Sequence, residues 1–142
     1  MRSRLHLLML VVALISASTF GGVNRWTSHG PEGGSVYAMA VDPTDEATVY
    51  TGTDHGVYKS ENGGALWKPM TKGLSDQRVS ALMIAPEDHS RIYAGTTGGK
   101  VFQSRDAGAN WKKAENGLPK SPVGKIDVAI AGSDSKRIYA LM

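Results

Sequence analysis

The sequence predicts an all-β protein made of β-propeller blades, each of four antiparallel strands. Three observations predict this fold class. A unit of about 44 residues occurs twice and begins a third time, each unit holds four short strand-like segments between turn sequences, and no convincing helical period follows the N-terminal apolar segment. Four strands per repeat of this length is typical of a propeller blade. About two and a half blades are expected, so the propeller is incomplete in this chain.

The repeat is visible when residues 36–74 are aligned with residues 79–118, with one gap opposite Lys100. Sixteen of the 39 aligned positions are identical. A third copy follows, in which Arg137-Ile138-Tyr139 matches Arg91-Ile92-Tyr93. Self-similarity at this period indicates stacked blades. The predicted segments are a signal peptide at 1–19, a lead-in strand at 20–35, blade repeats at 36–78 and 79–124, and a partial blade repeat at 125–142.

Each repeat contains four candidate strands. The first, VYAMAV at 36–41, is small and apolar, which favours burial on both faces. The second and third, TVYTGT and GVYKS, alternate and are rich in β-branched and aromatic residues. The fourth, LWKPM or NWKKA, is the most polar, and Pro69 cannot donate a ladder hydrogen bond. The fourth strand is therefore expected at an edge of the blade.

The N-terminus has the pattern of a secretory signal peptide. Arg2 and Arg4 precede a mostly apolar run from Leu5 to Ile15, and Ser16-Ala17-Ser18 offers small residues for cleavage. The run is shorter than the roughly 20 residues that span a bilayer. We expect export to the periplasm or the extracellular space and no membrane span after cleavage. An uncleaved N-terminal anchor is the alternative.

Composition excludes several classes of function. The chain has no cysteine, so disulfides, thiolate catalysis and Cys-ligated zinc are excluded. The net charge is +3, but without Arg2 and Arg4 the 16 basic residues fall to 14, against 13 acidic residues. A nucleic-acid partner is not expected, because no basic stripe remains to contact phosphates. His29, His55 and His89 lack metal-ligand spacing, so we expect no metal site and no cofactor.

One phrase recurs between the third and fourth strands: SENGGALW from Ser60 and SRDAGANW from Ser104. A short polar side chain at its first and third positions can bond backbone groups across a turn. The glycine at its fifth position can take a positive φ. The tryptophan that closes the phrase has a large apolar area to bury against a neighbouring blade. The phrase therefore predicts the same structural hairpin in each blade.

The pattern Ser-x-Asp-x-Gly-x-x-Trp resembles the Asp-box, or bacterial neuraminidase repeat. The second phrase matches it fully, whereas the first has Asn62 in the aspartate position, which keeps the bonding oxygen but not the charge. The matching positions are Ser60, Asn62, Gly64 and Trp67, and Ser104, Asp106, Gly108 and Trp111. The resemblance covers residues 26–142 and implies a β-propeller with these turns on the face away from its ligands. Relatives with such repeats include sialidases, xyloglucan-cleaving glycosidases, sortilin-type receptors and photosystem II assembly factors.

A binding site is expected on the opposite face. In an antiparallel four-stranded blade, the first and third connections emerge on one face, and the second connection and the link to the next blade emerge on the other. Propellers usually bind ligands on this second face, an analogy of architecture. The residues that it would carry are Asp54, His55, Thr97, Asp76, Gln77 and Arg78.

Asp54 is the candidate catalytic residue. TGTDHGVYKS resembles a turn of xyloglucanase-type glycosidases, in which the aspartate of a Thr-Asp-x-Gly-Gly stretch is a catalytic carboxylate, although here only Gly56 follows His55. Glycoside hydrolysis needs two carboxylates, about 6.5–9.5 Å apart in inverting enzymes. The second repeat carries Thr97 at the matching turn, so a partner would come from a blade outside this sequence. The alternative is that Asp54 is an ordinary turn residue with no catalytic role.

Three functions remain open. The first is an exported, non-enzymatic propeller that binds a protein or glycan or acts as a scaffold. The second is the N-terminal part of a xyloglucanase-like or other glycoside hydrolase that uses Asp54. The third is a structural role similar to that of photosystem assembly factors. We expect the missing blades in the rest of a longer chain; closure of a ring by several copies is the alternative.

Overall fold

The computed structural model describes residues 30–31, 34–76, 78–118, 124–131 and 134–141. The predicted signal peptide and Gln77 lie outside these residues. Those described form antiparallel sheets and no helix. The strands are β1 (Val36–Asp42), β2 (Asp45–Thr53), β3 (Gly56–Ser60), β4 (Lys68–Pro69), β5 (Val79–Ala85), β6 (Asp88–Thr96), β7 (Val101–Ser104), β8 (Trp111–Lys113), β9 (Asp127–Ala131) and β10 (Asp134–Leu141).

The strands pair in chain order within each sheet. β1 to β4 form one four-stranded sheet, which we call blade 1, and β5 to β8 form a second, blade 2. β9 and β10 form a two-stranded sheet, the half-blade. Each neighbouring pair is antiparallel. The prediction of two and a half four-stranded antiparallel units is confirmed.

The three sheets share one register, so matching sequence positions occupy matching places. The same apolar position joins the first two strands of every sheet, in the pairs Val41–Val49, Ile84–Ile92 and Ile130–Ile138. The serine of the recurring phrase lies opposite the same position, in the pairs Val49–Ser60 and Ile92–Ser104. Register in a sheet decides which face each side chain occupies. A contact in one blade can therefore be compared directly with its counterpart in the next.

The prediction that β1 is buried on both faces is wrong. Val36, Tyr37, Met39 and Val41 are between 44% and 62% exposed. β1 contacts β5 of blade 2, but among the described residues no blade precedes it. β5 has the same place in the repeat and lies between β1 and β9, and its end residues are buried. Burial here depends on the neighbouring blade as well as on the strand sequence.

The apolar core lies between the blades. Tyr50 and Val57 of blade 1, and Leu74 in the link after β4, belong to one buried cluster with residues of blade 2. The backbone also comes close at these seams: a Cβ atom added at Gly52 would lie 2.7 Å from Val79 Cγ1, and one added at Gly95 would lie 2.7 Å from the Ile126 carbonyl oxygen. Both glycines occupy the same repeat position. Neighbouring blades therefore pack directly on this glycine.

The fourth strands are short edge strands. β4 and β8 cover fewer residues than the predicted LWKPM and NWKKA segments. Pro69 pairs with Tyr58 at the edge of blade 1, where its missing N–H costs no ladder bond. The edge position expected for this strand is therefore confirmed.

Candidate functional site

The two recurring turns lie on the same face as the β1–β2 and β5–β6 turns. The Gly63 amide donates to the Ala47 carbonyl oxygen at 2.9 Å, and the Ala107 amide donates to the Ser90 carbonyl oxygen at 2.8 Å. We call this the turn face. The β2–β3 and β6–β7 turns emerge at the other ends of the strands, together with the β4–β5 link. We call that side the loop face.

On the turn face, the first turn is held by two side-chain oxygens. Ser60 Oγ donates to Asn62 Oδ1 at 2.9 Å and accepts from the Gly64 amide at 2.8 Å. Asn62 Oδ1 also accepts from the Leu66 amide at 2.8 Å. Gly64 has a φ of 89°, a conformation that strongly favours glycine. These contacts fix the path of the chain from β3 to β4.

The second turn repeats this network with an aspartate. Ser104 Oγ donates to Asp106 Oδ1 at 2.7 Å and accepts from the Gly108 amide at 2.9 Å. Hydrogen bonds from the Asn110 side chain and amide, together with that from Ser104, lower the pKa of Asp106 to about 2. Donors that bind the charged form stabilise it against protonation. The Asp106 carboxylate therefore accepts its hydrogen bonds from groups within its own turn.

The tryptophans that close the two turns have different surroundings. Trp111 is 3% exposed, and its Nε1 donates to the Met70 carbonyl oxygen of blade 1 at 2.8 Å. Its amide donates to the Lys72 carbonyl oxygen, also at 2.8 Å. Trp67 is only half-buried and packs over Gly64 of its own turn. Trp111 thus joins blade 2 to blade 1.

On the loop face, Asp54 lies at the β2–β3 turn. Its Oδ1 is 2.9 Å from His55 Nδ1, and its side chain is 29% exposed against 58% for His55. Thr53 Oγ1 accepts from the His55 amide and donates to the Gly56 carbonyl oxygen, which fixes the turn. Asp54 and His55 are therefore an accessible polar pair on a well-ordered turn.

Gly34 is a residue of this site that sequence reasoning missed. A Cβ atom there would overlap the Asp54 carboxylate, and its φ is 117°. The backbone of the segment before β1 therefore passes directly beside Asp54. The only signal in the sequence was the GPEGG segment that precedes β1, which shows no link to a residue 20 positions away.

The other predicted loop-face residues form a second group. Asp76 Oδ2 is 3.1 Å from Thr96 Oγ1 and 4.0 Å from Lys100 Nζ, and a Cβ atom at Gly98 would overlap it. The Thr97 amide donates to the Arg78 carbonyl oxygen at 3.0 Å. Asp76 thus braces the β6–β7 turn, whereas Arg78 is exposed and Thr97 is half-exposed. Asp76, Thr97 and Arg78 are thus grouped around the β6–β7 turn, and Asp54 and His55 form a separate pair at the β2–β3 turn.

The structure also shows a polar cluster between the blades on the turn face. His89 Nδ1 lies 2.9 Å from Asp42 Oδ1 and 3.0 Å from Thr44 Oγ1. Burial acts to raise the pKa of Asp42, but hydrogen bonds from Thr44 and the nearby His89 outweigh it and lower that pKa. From the sequence, His89 was considered only as a metal ligand. In the described part of the chain, no group of three or more His, Asp or Glu side chains could hold a metal ion.

The described residues contain no helix with the length and apolar character of a membrane span.

No protein-family model matches the chain. A xyloglucanase of Hypocrea jecorina (strain QM6a) is 26% identical over 109 residues. That match covers 75% of this chain and 13% of the xyloglucanase, so the chain spans about an eighth of the length of this curated relative.

Solved structures show the same arrangement of sheets. An ancestral GH74 enzyme matches with a TM-score of 0.62 at 20% identity, over 74% of this chain and 16% of its own. The Niastella koreensis GH74 enzyme matches with a TM-score of 0.53 at 21% identity, over 74% of this chain and 19% of its own. YCF48 bound to D1 peptide matches with a TM-score of 0.52 at 17% identity, over 79% of this chain and 39% of its own. The chain has a β-propeller fold. In this partial propeller, the first strands of successive blades contact each other, β1 with β5 and β5 with β9.

Proposed function

We propose that this chain belongs to an exported β-propeller that binds a polysaccharide on its loop face without hydrolysing it. The single observation that carries the proposal is the Asp54–His55 pair, which is accessible and held on an ordered turn beside Gly34. A carboxylate can accept hydrogen bonds from sugar hydroxyls, and an imidazole can donate hydrogen bonds to them or accept from them. The likeness to a protein named xyloglucanase makes a glucan the first ligand to test.

The turn face has a structural role in this proposal. We interpret the two turns as Asp-boxes, because their serine, asparagine or aspartate, and glycine residues are bonded to each other and to the local backbone. Side chains already satisfied within a turn have little capacity left for a ligand. A sugar is therefore expected on the loop face.

We favour binding over hydrolysis because no contact in the described part of the chain places a second carboxylate beside Asp54; a hydrolase would take that group from a blade outside this sequence. A glycosidase needs a second carboxylate across the scissile bond. Asp54 is paired with His55, and Asp76 is braced between Thr96, Gly98 and Lys100. Thr97 occupies the turn that matches that of Asp54. Nothing in the described part of the chain pairs a second carboxylate with Asp54.

Calorimetric titration with xyloglucan oligosaccharides tests this function. Asp54→Asn keeps the size of the side chain and removes its charge, and we expect affinity to fall at least fivefold. Asp106→Asn makes the same change on the turn face and should leave affinity unchanged. Equal affinity of wild-type and Asp54→Asn protein, or loss of affinity only in Asp106→Asn, would contradict the proposal.

A glycoside hydrolase is the second candidate, favoured by the position of Asp54 on the loop face of a propeller that is similar to a xyloglucanase. In that case Asp54 would be one catalytic carboxylate. Reducing-sugar release from xyloglucan, abolished in Asp54→Asn, would establish this candidate and refute binding without hydrolysis. An assembly role has only a fold likeness to YCF48 behind it, and we do not propose it.

A further inference from the structure

A slot of about 200 Å³ lies between blade 2 and the half-blade. Six of its lining residues belong to blade 2 and the segment after it: Tyr93, Val101, Ala114, Asn116, Gly117 and Leu118. A cavity of roughly 150 Å³ accommodates benzene, so a slot of this size suits one aromatic side chain.

The same slot exists one blade earlier, where it is filled. The repeat counterparts of those six residues surround Trp111 and are Tyr50, Val57, Met70, Lys72, Gly73 and Leu74. The half-blade adds Ile138 and Ala140 to the lining, and their counterparts Ile92 and Ala94 share the buried cluster with Trp111. Among the described residues, one slot is thus occupied by Trp111, and its copy is filled by no side chain.

The contacts of Trp111 show how a tryptophan is bound in the occupied slot. The Trp111 Nε1 and amide groups donate to the Met70 and Lys72 carbonyl oxygens. The Trp111 backbone crosses so close to Gly73 that a Cβ atom there would overlap the Trp111 carbonyl oxygen. At Gly117, the counterpart of Gly73, a Cβ atom would have no atom of the described residues within 4 Å.

A tyrosine hydroxyl group lies beside each of the two slots. Tyr50 Oη donates to the Ala107 carbonyl oxygen in the turn of blade 2 at 3.1 Å. Its counterpart, Tyr93 Oη, accepts a hydrogen bond from Gln103 Nε2 at 2.7 Å. A tyrosine hydroxyl that accepts one bond still has its own proton to donate. Tyr93 can therefore bind the carbonyl oxygen of an incoming turn.

The strand beside the slot has an exposed edge. β2 and β6 each pair with a strand on both sides, whereas the described residues pair β10 only with β9. Ile138, Tyr139 and Leu141 on β10 are 38%, 58% and 74% exposed. An edge strand with exposed apolar side chains readily accepts another strand.

We propose that the slot and the edge of β10 together bind a β-hairpin with the pattern Ser-x-Asp-x-Gly-x-x-Trp. Its tryptophan fills the slot, and its first strand pairs with β10. The shared register sets the alignment: the hairpin serine lies opposite Ile138, as Ser60 lies opposite Val49 and Ser104 opposite Ile92. The partner must supply a hairpin that is not already paired. A folded second copy does not meet this condition, because its β3 and β7 are bonded within their own blades.

A peptide with the sequence of residues 98–114 is the probe, cyclised through its ends so that the two strands stay together. Its binding to the full chain is followed by fluorescence anisotropy of a label on the peptide. We expect saturable binding that weakens at least tenfold when the peptide carries Trp111→Ala. No binding of the wild-type peptide, or equal binding of the Trp111→Ala peptide, would overturn the proposal.

Gly117→Asn blocks the slot in the protein. Gly117 has a φ of 78°, and asparagine tolerates this region better than other non-glycine residues. Gly63→Asn is the matched control, since Gly63 has a φ of 66°, no atom near its Cβ position and no part in the slot. We expect peptide affinity to fall at least tenfold in Gly117→Asn and to stay unchanged in Gly63→Asn, with equal melting temperatures. Loss of affinity in both variants would overturn the proposal. A dimer of the chain that the peptide does not dissociate, but that Gly117→Asn does, would also overturn it.

Discussion

Among the described residues, Ala107 is the non-glycine residue with a positive φ. It has a φ of 54°, whereas the same position of the first turn is Gly63 with a φ of 66°. The left-handed region costs an L-residue roughly 1–2 kcal/mol, offset in part by the greater unfolded-state entropy of glycine. We predict that Ala107→Gly raises the free energy of unfolding by about 0.5–1 kcal/mol. Urea denaturation of both proteins measures the difference.

Gly63→Ala is the reciprocal change and should lower stability by a similar amount. Steric clashes do not affect either variant. Ala107→Gly removes a Cβ atom, and no atom of the described residues lies within 4 Å of a Cβ at Gly63. If Ala107→Gly were neutral or destabilising while Gly63→Ala was harmless, backbone conformation would not be the deciding factor at these two turns.

At the scale of the element, the two turns differ in charge. Asp106 has a folded pKa of about 2, below the value near 3.9 of an unperturbed aspartate, and Asn62 does not titrate. A lowered folded pKa contributes stability that is complete above the unfolded pKa and is lost as the pH falls towards 2. We predict that Asp106→Asn weakens the decline in stability between about pH 4 and pH 2. Denaturation midpoints at pH 5, 3 and 2 measure it.

Asn62→Asp provides the opposite test, because it places a carboxylate among the same kind of donors in the first turn. Its decline in stability over this range should be steeper than that of the wild-type protein. Identical pH profiles for all three proteins would show that the turn carboxylate is not stabilised by its hydrogen bonds.

These elements also show what the sequence could predict. The turns were predictable, because Ser, Asn or Asp, and Gly at fixed spacing have local reasons to bond each other. The exposure of β1 was not, because VYAMAV and its counterpart in β5 are similarly apolar and only a neighbouring blade buries the second. The proximity of Gly34 to Asp54 was equally hidden, since it depends on tertiary structure.

At the scale of the whole molecule, the apolar core lies at the seams between blades. Trp111 spans the seam between blades 1 and 2, whereas Trp67 is half-buried over its own turn. Replacing a buried tryptophan by alanine costs about 3–5 kcal/mol. We predict a loss in this range for Trp111→Ala and less than half of it for Trp67→Ala, measured by urea denaturation. Equal losses would mean that the seam does not depend on Trp111.

The division of the molecule into a structural turn face and a ligand-binding loop face is the central claim. An NMR titration of the isotope-labelled chain with xyloglucan oligosaccharides tests it most directly, because amide shifts report each loop separately. We predict changes centred on Asp54 to Gly56 that extend to Thr97 and Arg78, with the turns at Ser60 and Ser104 unaffected. Changes centred on those two turns, or no change at saturating sugar, would contradict the account.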